Sequence, residues 1–228
     1  DKMDDEKLTA YLKNILEKGR MAEAIDISKE MGGQLSEEEI NSYIFQYLDQ
    51  GWLSKAVEGS KAAGVELPDE MLFGWIDKYL EEGQIYSAIN AIKFLEVPLP
   101  KDRLIEAGRK CLLEGELNKG LDAFKAAGEE VPEEELLSCG NKCFEEGKLY
   151  PGLEAYEKAN KTPTDELLTL CGDRCFQEGW TNRGLEAYER SNMSPTKEKL
   201  LACASRCFMD KNKDEGRRAI VEANKASE

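Results

Sequence analysis

Histidine is absent from the chain. The usual general base near neutral pH is therefore missing, and with it the commonest metal-binding side chain. Serine and cysteine have no orthodox partner for a nucleophilic triad, so the protein is expected to be no enzyme and to carry no cofactor. Positive charge is also scarce. Lys and Arg number 31 against 46 Asp and Glu, a net charge of −15 over 228 residues, and that excess repels phosphate backbones and anionic bilayers. Neither nucleic acid nor membrane is expected as a partner. No run approaches the about eighteen apolar residues a membrane span requires, and Asp1 to Glu6 is too acidic for a signal peptide. The seven cysteines are an odd number, none in a Gly- or Pro-rich loop, so no disulfide framework is expected and a reducing, cytoplasmic setting is. Two sequons, at Asn160 and Asn192, read as helix-end asparagines.

Repetition fills the chain instead. A glycine recurs every 32 residues at Gly19, Gly51, Gly83, Gly115, Gly147 and Gly179, and Lys211 takes the seventh place. After a four-residue lead the chain divides without insertion or deletion into units 5–36, 37–68, 69–100, 101–132, 133–164, 165–196 and 197–228. A short period held this strictly implies one continuous domain in which each unit packs on its neighbours.

Within the unit, position 4 is Leu8, Ile40, Leu72, Leu104, Leu136, Leu168 or Leu200. Positions 11 and 12 are large or cysteine, from Ile15-Leu16 to Cys207-Phe208. That spacing predicts an amphipathic first helix over most of positions 1–14. Its second position is acidic in all seven units, where negative charge meets the helix dipole. Ser36, Thr164 and Thr196 stand just before as N-caps, and Pro68, Pro100 and Pro132 fill the same slot elsewhere. The glycine at position 15 turns the chain in a left-handed conformation. A second helix follows, with small residues at position 20 (Ala24, Ala56, Ala88, Gly120, Gly152, Gly184) and aromatics at Phe124, Tyr156 and Tyr188. Gly32, Gly64, Gly128, Asn160, Asn192 and Asn224 are expected to close it.

The run Gly140, Cys143, Gly147, Leu149, Gly152, Tyr156 and Ala159, largely reproduced by Gly172, Cys175, Gly179, Gly184 and Tyr188, resembles the tetratricopeptide repeat. The family's unit is about 34 residues; here it is 32, and Leu12, Ile44 and Ile76 stand where the family has a small residue. The resemblance covers essentially the whole chain and implies an all-α solenoid, a right-handed superhelix of seven helix-turn-helix repeats. It also implies that positions 2, 5, 9, 12 and 13 of the first helices line a concave face. In the second and third units these include Phe45, Asp49, Phe73, Asp77 and Glu81; in the fourth, Ile105, Arg109 and Leu113; beyond it, Leu137, Asn141, Glu145, Asp173 and Gln177. A surface mixing apolar anchors with carboxylates suits a peptide or helix bearing basic and apolar residues.

Other constellations compete with this one. Cys139/Cys143, Cys171/Cys175 and Cys203/Cys207 are spaced i, i+4, but tetrahedral zinc needs ligands within roughly 4 Å of one another and packed helices lie about 8–10 Å apart. These thiols read as small core residues, and no metal is expected. Lys78, Lys110, Lys142, Arg174 and Arg206 form a basic stripe, each with an acidic residue four places on, which favours solvated pairing over a track for phosphate. Gly147–Gly152 and Gly179–Gly184 imitate a phosphate loop, yet leucine follows where lysine is needed. The last unit carries Lys211, Lys213, Asp214, Arg217 and Arg218, a polar C-terminal cap, whereas the first shows no such change at Leu12, Ile15, Met21 or Ile25. The expected function is a non-catalytic protein-interaction scaffold. The alternatives are a spacer or self-assembly module acting through its end repeats, the N-terminal one included, and single-stranded RNA binding.

Overall fold

The computed structural model describes residues 5–32, 35–97 and 100–226, and all regular structure among them is α-helical. The acidic lead, read against a signal peptide, lies largely outside the described residues. The first helices are α1 (Asp5–Glu17), α3 (Glu37–Asp49), α5 (Asp69–Glu81), α7 (Lys101–Leu113), α9 (Glu133–Glu145), α11 (Asp165–Gln177) and α13 (Lys197–Met209). Each fills positions 1–13 of its unit. The second helices, α2 (Met21–Glu30), α4 (Leu53–Ala63), α6 (Ile85–Leu95), α8 (Leu117–Ala127), α10 (Leu149–Lys158), α12 (Thr181–Arg190) and α14 (Lys213–Lys225), all begin at position 17.

The ends are set by local chemistry. The Ser36 hydroxyl accepts the Glu39 N–H at 3.2 Å while the Glu39 carboxylate accepts the Ser36 N–H at 2.9 Å, a reciprocal capping box. Hydrogen bonds from Ser36 hold the Glu39 carboxyl below its ordinary value. Thr164 and Thr196 cap α11 and α13 with the one-way bond alone, their hydroxyls accepting the Leu167 and Lys199 N–H groups, and Pro68 and Pro132 stand at the N-caps of α5 and α9. The six recurring glycines turn at φ between +68° and +74°, where an L side chain is strained. Lys211 accepts that strain at φ +63°, and Glu96, Asn160 and Asn192 adopt φ of 52°, 52° and 54° at the ends of second helices. Asn224 departs from expectation: it lies inside α14. The reversals at Asn160 and Asn192 are fastened by Lys161 N–H to Tyr156 C=O and Met193 N–H to Tyr188 C=O, whereas α14 runs on to Lys225 and the Ala226 N–H bonds Glu222 C=O.

The chain forms two compact units, Asp1–Ala107 and Gly108–Glu228. In the second, small and large residues trade places across each hairpin. A methyl added at Gly140 would lie 2.7 Å from the Tyr156 ring and one at Gly172 2.6 Å from Tyr188. Reciprocally, methyls at Gly120, Gly152 and Gly184 would fall 2.4, 2.5 and 2.3 Å from Leu112, Phe144 and Phe176. Each glycine thus seats a large side chain of the opposite helix, and the rings of Phe144 and Tyr156 meet with centroids 5.7 Å apart. In the first unit the exchange is inverted. In its first two repeats Leu12 and Ile44 occupy position 8 and are buried, while position 24 shrinks to the buried Ser28 and Ser60, which accounts for the missing small residue there; in the third repeat both positions are large, the buried Ile76 and Ile92.

Neighbouring hairpins in each unit share their faces. α2 packs on α4 and α4 on α6; in the second unit α9 packs on α11, α11 on α13 and α12 on α14. Phe176 and Tyr188 of one repeat lie in a single cluster with Leu200, Cys203, Ala204 and Cys207 of the next. The position-4 column is buried except at Ile40, which is half-buried. The last repeat is mixed in character: its charges are exposed as expected, but so are Phe208, Met209, Ile220 and Val221.

Gly152→Ala is expected to cost about 1–3 kcal/mol in urea denaturation by overpacking against Phe144. Adding Phe144→Leu should recover part of that loss, so the double variant is more stable than the sum of the singles; strict additivity would show that the two sites do not share this space.

Candidate functional site

Helical spacing places Phe45 and Asp49 on one face of α3, and Phe73, Asp77 and Glu81 on one face of α5. Phe45 and Phe73 are 46% and 44% exposed, large apolar rings open to water. The carboxylates around them are held by neighbouring first helices. Lys78 of α5 reaches Asp49 of α3 at 2.8 Å, with its ammonium 4.0 Å from the centre of the Trp75 ring. Arg103 of α7 bridges Asp77 at 3.5 Å and Glu81 at 3.2 Å. Ile105 is half-buried.

In the second unit the same positions are more fully engaged. Arg109 pairs with Glu135 at 2.8 Å. Leu137 is half-buried against the cluster containing Phe144, Leu168 and Cys171. Asn141 accepts the Tyr156 hydroxyl at 2.6 Å, and Asp173 accepts the Tyr188 hydroxyl at 2.5 Å and the Lys199 ammonium at 2.7 Å. Glu145 lies 3.9 Å from Lys142 and Gln177 accepts from Arg174 at 3.1 Å. Leu113 alone is widely exposed among the apolar members, at 64%.

These contacts reveal a rule that residue-by-residue reading missed. At three junctions position 9 pairs with position 3 of the following repeat: Asp77 with Arg103, Arg109 with Glu135, Asp173 with Lys199. The middle pair has its signs reversed, and complementarity is kept. Opposite charges recurring 26 residues apart were the available signal. Each pair is partly open to solvent, so each contributes about 0–1 kcal/mol and chiefly fixes which surfaces meet.

Among the described residues no group of three or more acidic or cysteine side chains could hold a metal ion. All seven cysteines are buried free thiols. Their role at position 11 is polar and local: Cys143, Cys175 and Cys207 donate to the carbonyls of Gly115, Gly147 and Gly179 at 3.4, 3.2 and 3.1 Å. Those carbonyls belong to the turn of the preceding repeat. In the first unit tyrosine does the equivalent work, Tyr47 donating to Leu16 C=O and Tyr79 to Leu48 C=O at 2.5 Å. Burial pushes the Cys111 thiol up and the Cys203 thiol up to about 12. Hydrogen bonding to Cys143 and Cys175, with burial, raises Cys139 and Cys171. The same hydrogen bonds lower Cys143 and Cys175, but all seven thiols are buried and lack the open setting a reactive thiolate needs. The basic stripe is paired on its own helix at Lys142, Arg174 and Arg206, while Lys78 crosses to Asp49 instead.

No family model matches the chain, and no curated protein matches it. Among the described residues no helix is long and apolar enough to cross a membrane.

Burial raises the hydroxyls of Tyr47 and Tyr79 to about 12. A folded value above the ordinary tyrosine value of about 10 means that the stabilisation is complete below pH 10 and is lost as the pH climbs through about 12. Ultraviolet titration should therefore show Tyr47 and Tyr79 ionising among the last tyrosines, together with unfolding. Tyr47→Phe and Tyr79→Phe should each remove one late step; late steps that survive both changes would belong to other residues.

Proposed function

We propose that the chain is a non-catalytic protein-interaction module, a divergent relative of the tetratricopeptide repeat working in the cytoplasm. Its first helices engage a peptide or partner helix that carries apolar and basic residues. The observation that supports this reading most directly is the exposure of Phe45 and Phe73 beside Asp49, Asp77 and Glu81. Large aromatic side chains left in water are costly, and rings rimmed by carboxylates match the usual anatomy of a binding hot spot. The surrounding ion pairs hold the helices that present the rings, so the surface is in place before a partner arrives. The absence of histidine and the burial of all seven free thiols favour binding over catalysis. Phe45→Ser and Phe73→Ser should each weaken capture of the native partner tenfold or more, with helicity unchanged by circular dichroism; undiminished affinity would count against this face.

A second reading, self-association, has its own support. Phe208 is 43% exposed although its counterparts Phe144 and Phe176 are buried between repeats. If that surface joins copies, sedimentation should show mass rising with concentration, and Phe208→Asp should abolish the rise. A monomeric mass throughout would remove this reading.

A further inference from the structure

We infer that a pocket between α7 and α9 anchors one aliphatic side chain of a partner peptide, whose adjoining lysine or arginine is bound by Glu134 and Glu135. The inference rests on the interaction-module reading and adds a site in the second compact unit. The pocket encloses about 270 Å³ and is lined by Arg109, Leu112, Leu113, Glu134, Glu135 and Ser138. That volume lies just below the range of whole small-molecule sites, about 300–1,000 Å³, and suits a single side chain. Leu112 forms part of the wall as a buried core residue, whereas Leu113 stands 64% exposed at the pocket. Desolvating Leu113 together with an incoming aliphatic group is favourable in proportion to the area covered.

The polar wall gives the partner's charge. Arg109 binds one oxygen of Glu135 at 2.8 Å, and the other oxygen is buried without a hydrogen-bond partner. A dry, unpaired carboxylate oxygen is costly. Turning the carboxylate about its last bond, a broad torsion, brings that oxygen out only as the other leaves Arg109, so an arriving donor competes with Arg109 for this carboxylate. Glu134 is exposed and forms no ion pair among the described residues, whereas Glu133 is already joined to Lys161 at 3.1 Å. Two carboxylates against one committed guanidinium leave the pocket wall negative, which selects a cationic neighbour to the aliphatic anchor and disfavours an acidic one.

The test is a random peptide library displayed against the intact 228-residue chain, followed by affinity measurements with the enriched peptides. Enriched sequences should pair Leu, Ile or Met with an adjacent Lys or Arg. Their affinity should fall tenfold or more with Leu113→Glu, with Glu135→Gln, and with Ser138→Leu, which fills the pocket without removing Arg109 or Glu135. Circular dichroism shows whether each variant remains folded, and Leu113, being exposed, provides the variant least exposed to that objection. Enriched peptides that bind a folded Leu113→Glu variant undiminished would overturn the anchor and leave the interaction module standing. Failure to enrich any peptide would remove the module reading, and the anchor with it.

Discussion

The close approach of the two helices in each hairpin is the constraint on which the rest of the structure depends. Backbones can come this near only if every large side chain at the crossing meets a gap, and the chain provides these gaps in reciprocal pairs. Gly140 receives Tyr156 while Gly152 receives Phe144; Gly172 receives Tyr188 while Gly184 receives Phe176. Moving volume from position 24 to position 8, as Ile44 and Ser60 do in the first unit, preserves the total. Cores tolerate such exchange when summed volume is kept, which is how one 32-residue frame carries two different packings.

A hairpin built this way cannot cover its own outer surfaces, so each repeat leans on the next. Apolar columns supply most of the energy, while polar contacts determine alignment. Position 11 places a donor against a carbonyl in the preceding turn, through a thiol in Cys143, Cys175 and Cys207 and through a phenol in Tyr47 and Tyr79. The glycine carbonyls at these turns lie beyond the helix ends, where intrahelical partners run out, whereas Leu16 and Leu48 C=O already accept the Gly19 and Gly51 N–H groups and take the phenol as a second donor. Two chemically unrelated side chains converge on one slot because the slot requires a short reach for the thiol and a longer one for the phenol. The carbonyl accepting the bond differs accordingly: Gly115, Gly147 and Gly179 for cysteine, Leu16 and Leu48 for tyrosine.

Most of the fold was legible in the sequence because packing repeats with the unit. The glycine period, the acidic second position and the Ser36, Thr164 and Thr196 caps located every first helix. Exceptions arose where a residue contradicts its own preference. Glu96 adopts φ 52°, and only its register, 32 residues from Gly64 and Gly128, marks the place as a left-handed turn. Asn224 shares that register yet stays helical, since register alone does not supply the reversal that Lys161 and Met193 fasten elsewhere. The candidate surface was less legible. Phe45 and Phe73 stood out as apolar residues at positions that vary, but the engagement of Asn141 and Asp173 by Tyr156 and Tyr188 depends on side-chain reach across a hairpin, which spacing along one helix does not encode.

Position 9 shows why function is harder to read than fold in such a chain. A residue there lies next to the open face and also within reach of position 3 of the following repeat, so its charge can serve either a partner or a neighbour. In Asp77, Arg109 and Asp173 it serves the neighbour. Once those charges are neutralised within the protein, recognition falls to what they leave over: rings that no neighbour covers, and the carboxylate oxygen of Glu135 that Arg109 does not reach. The sign reversal at Arg109 and Glu135 is what places a carboxylate side chain beside the pocket. With the polarity of the other two pairs, an aspartate would stand at position 9 and a base at position 3, and the wall would hold a fully paired cation instead. A substitution neutral for the pairing of repeats thereby changes what the surface can bind.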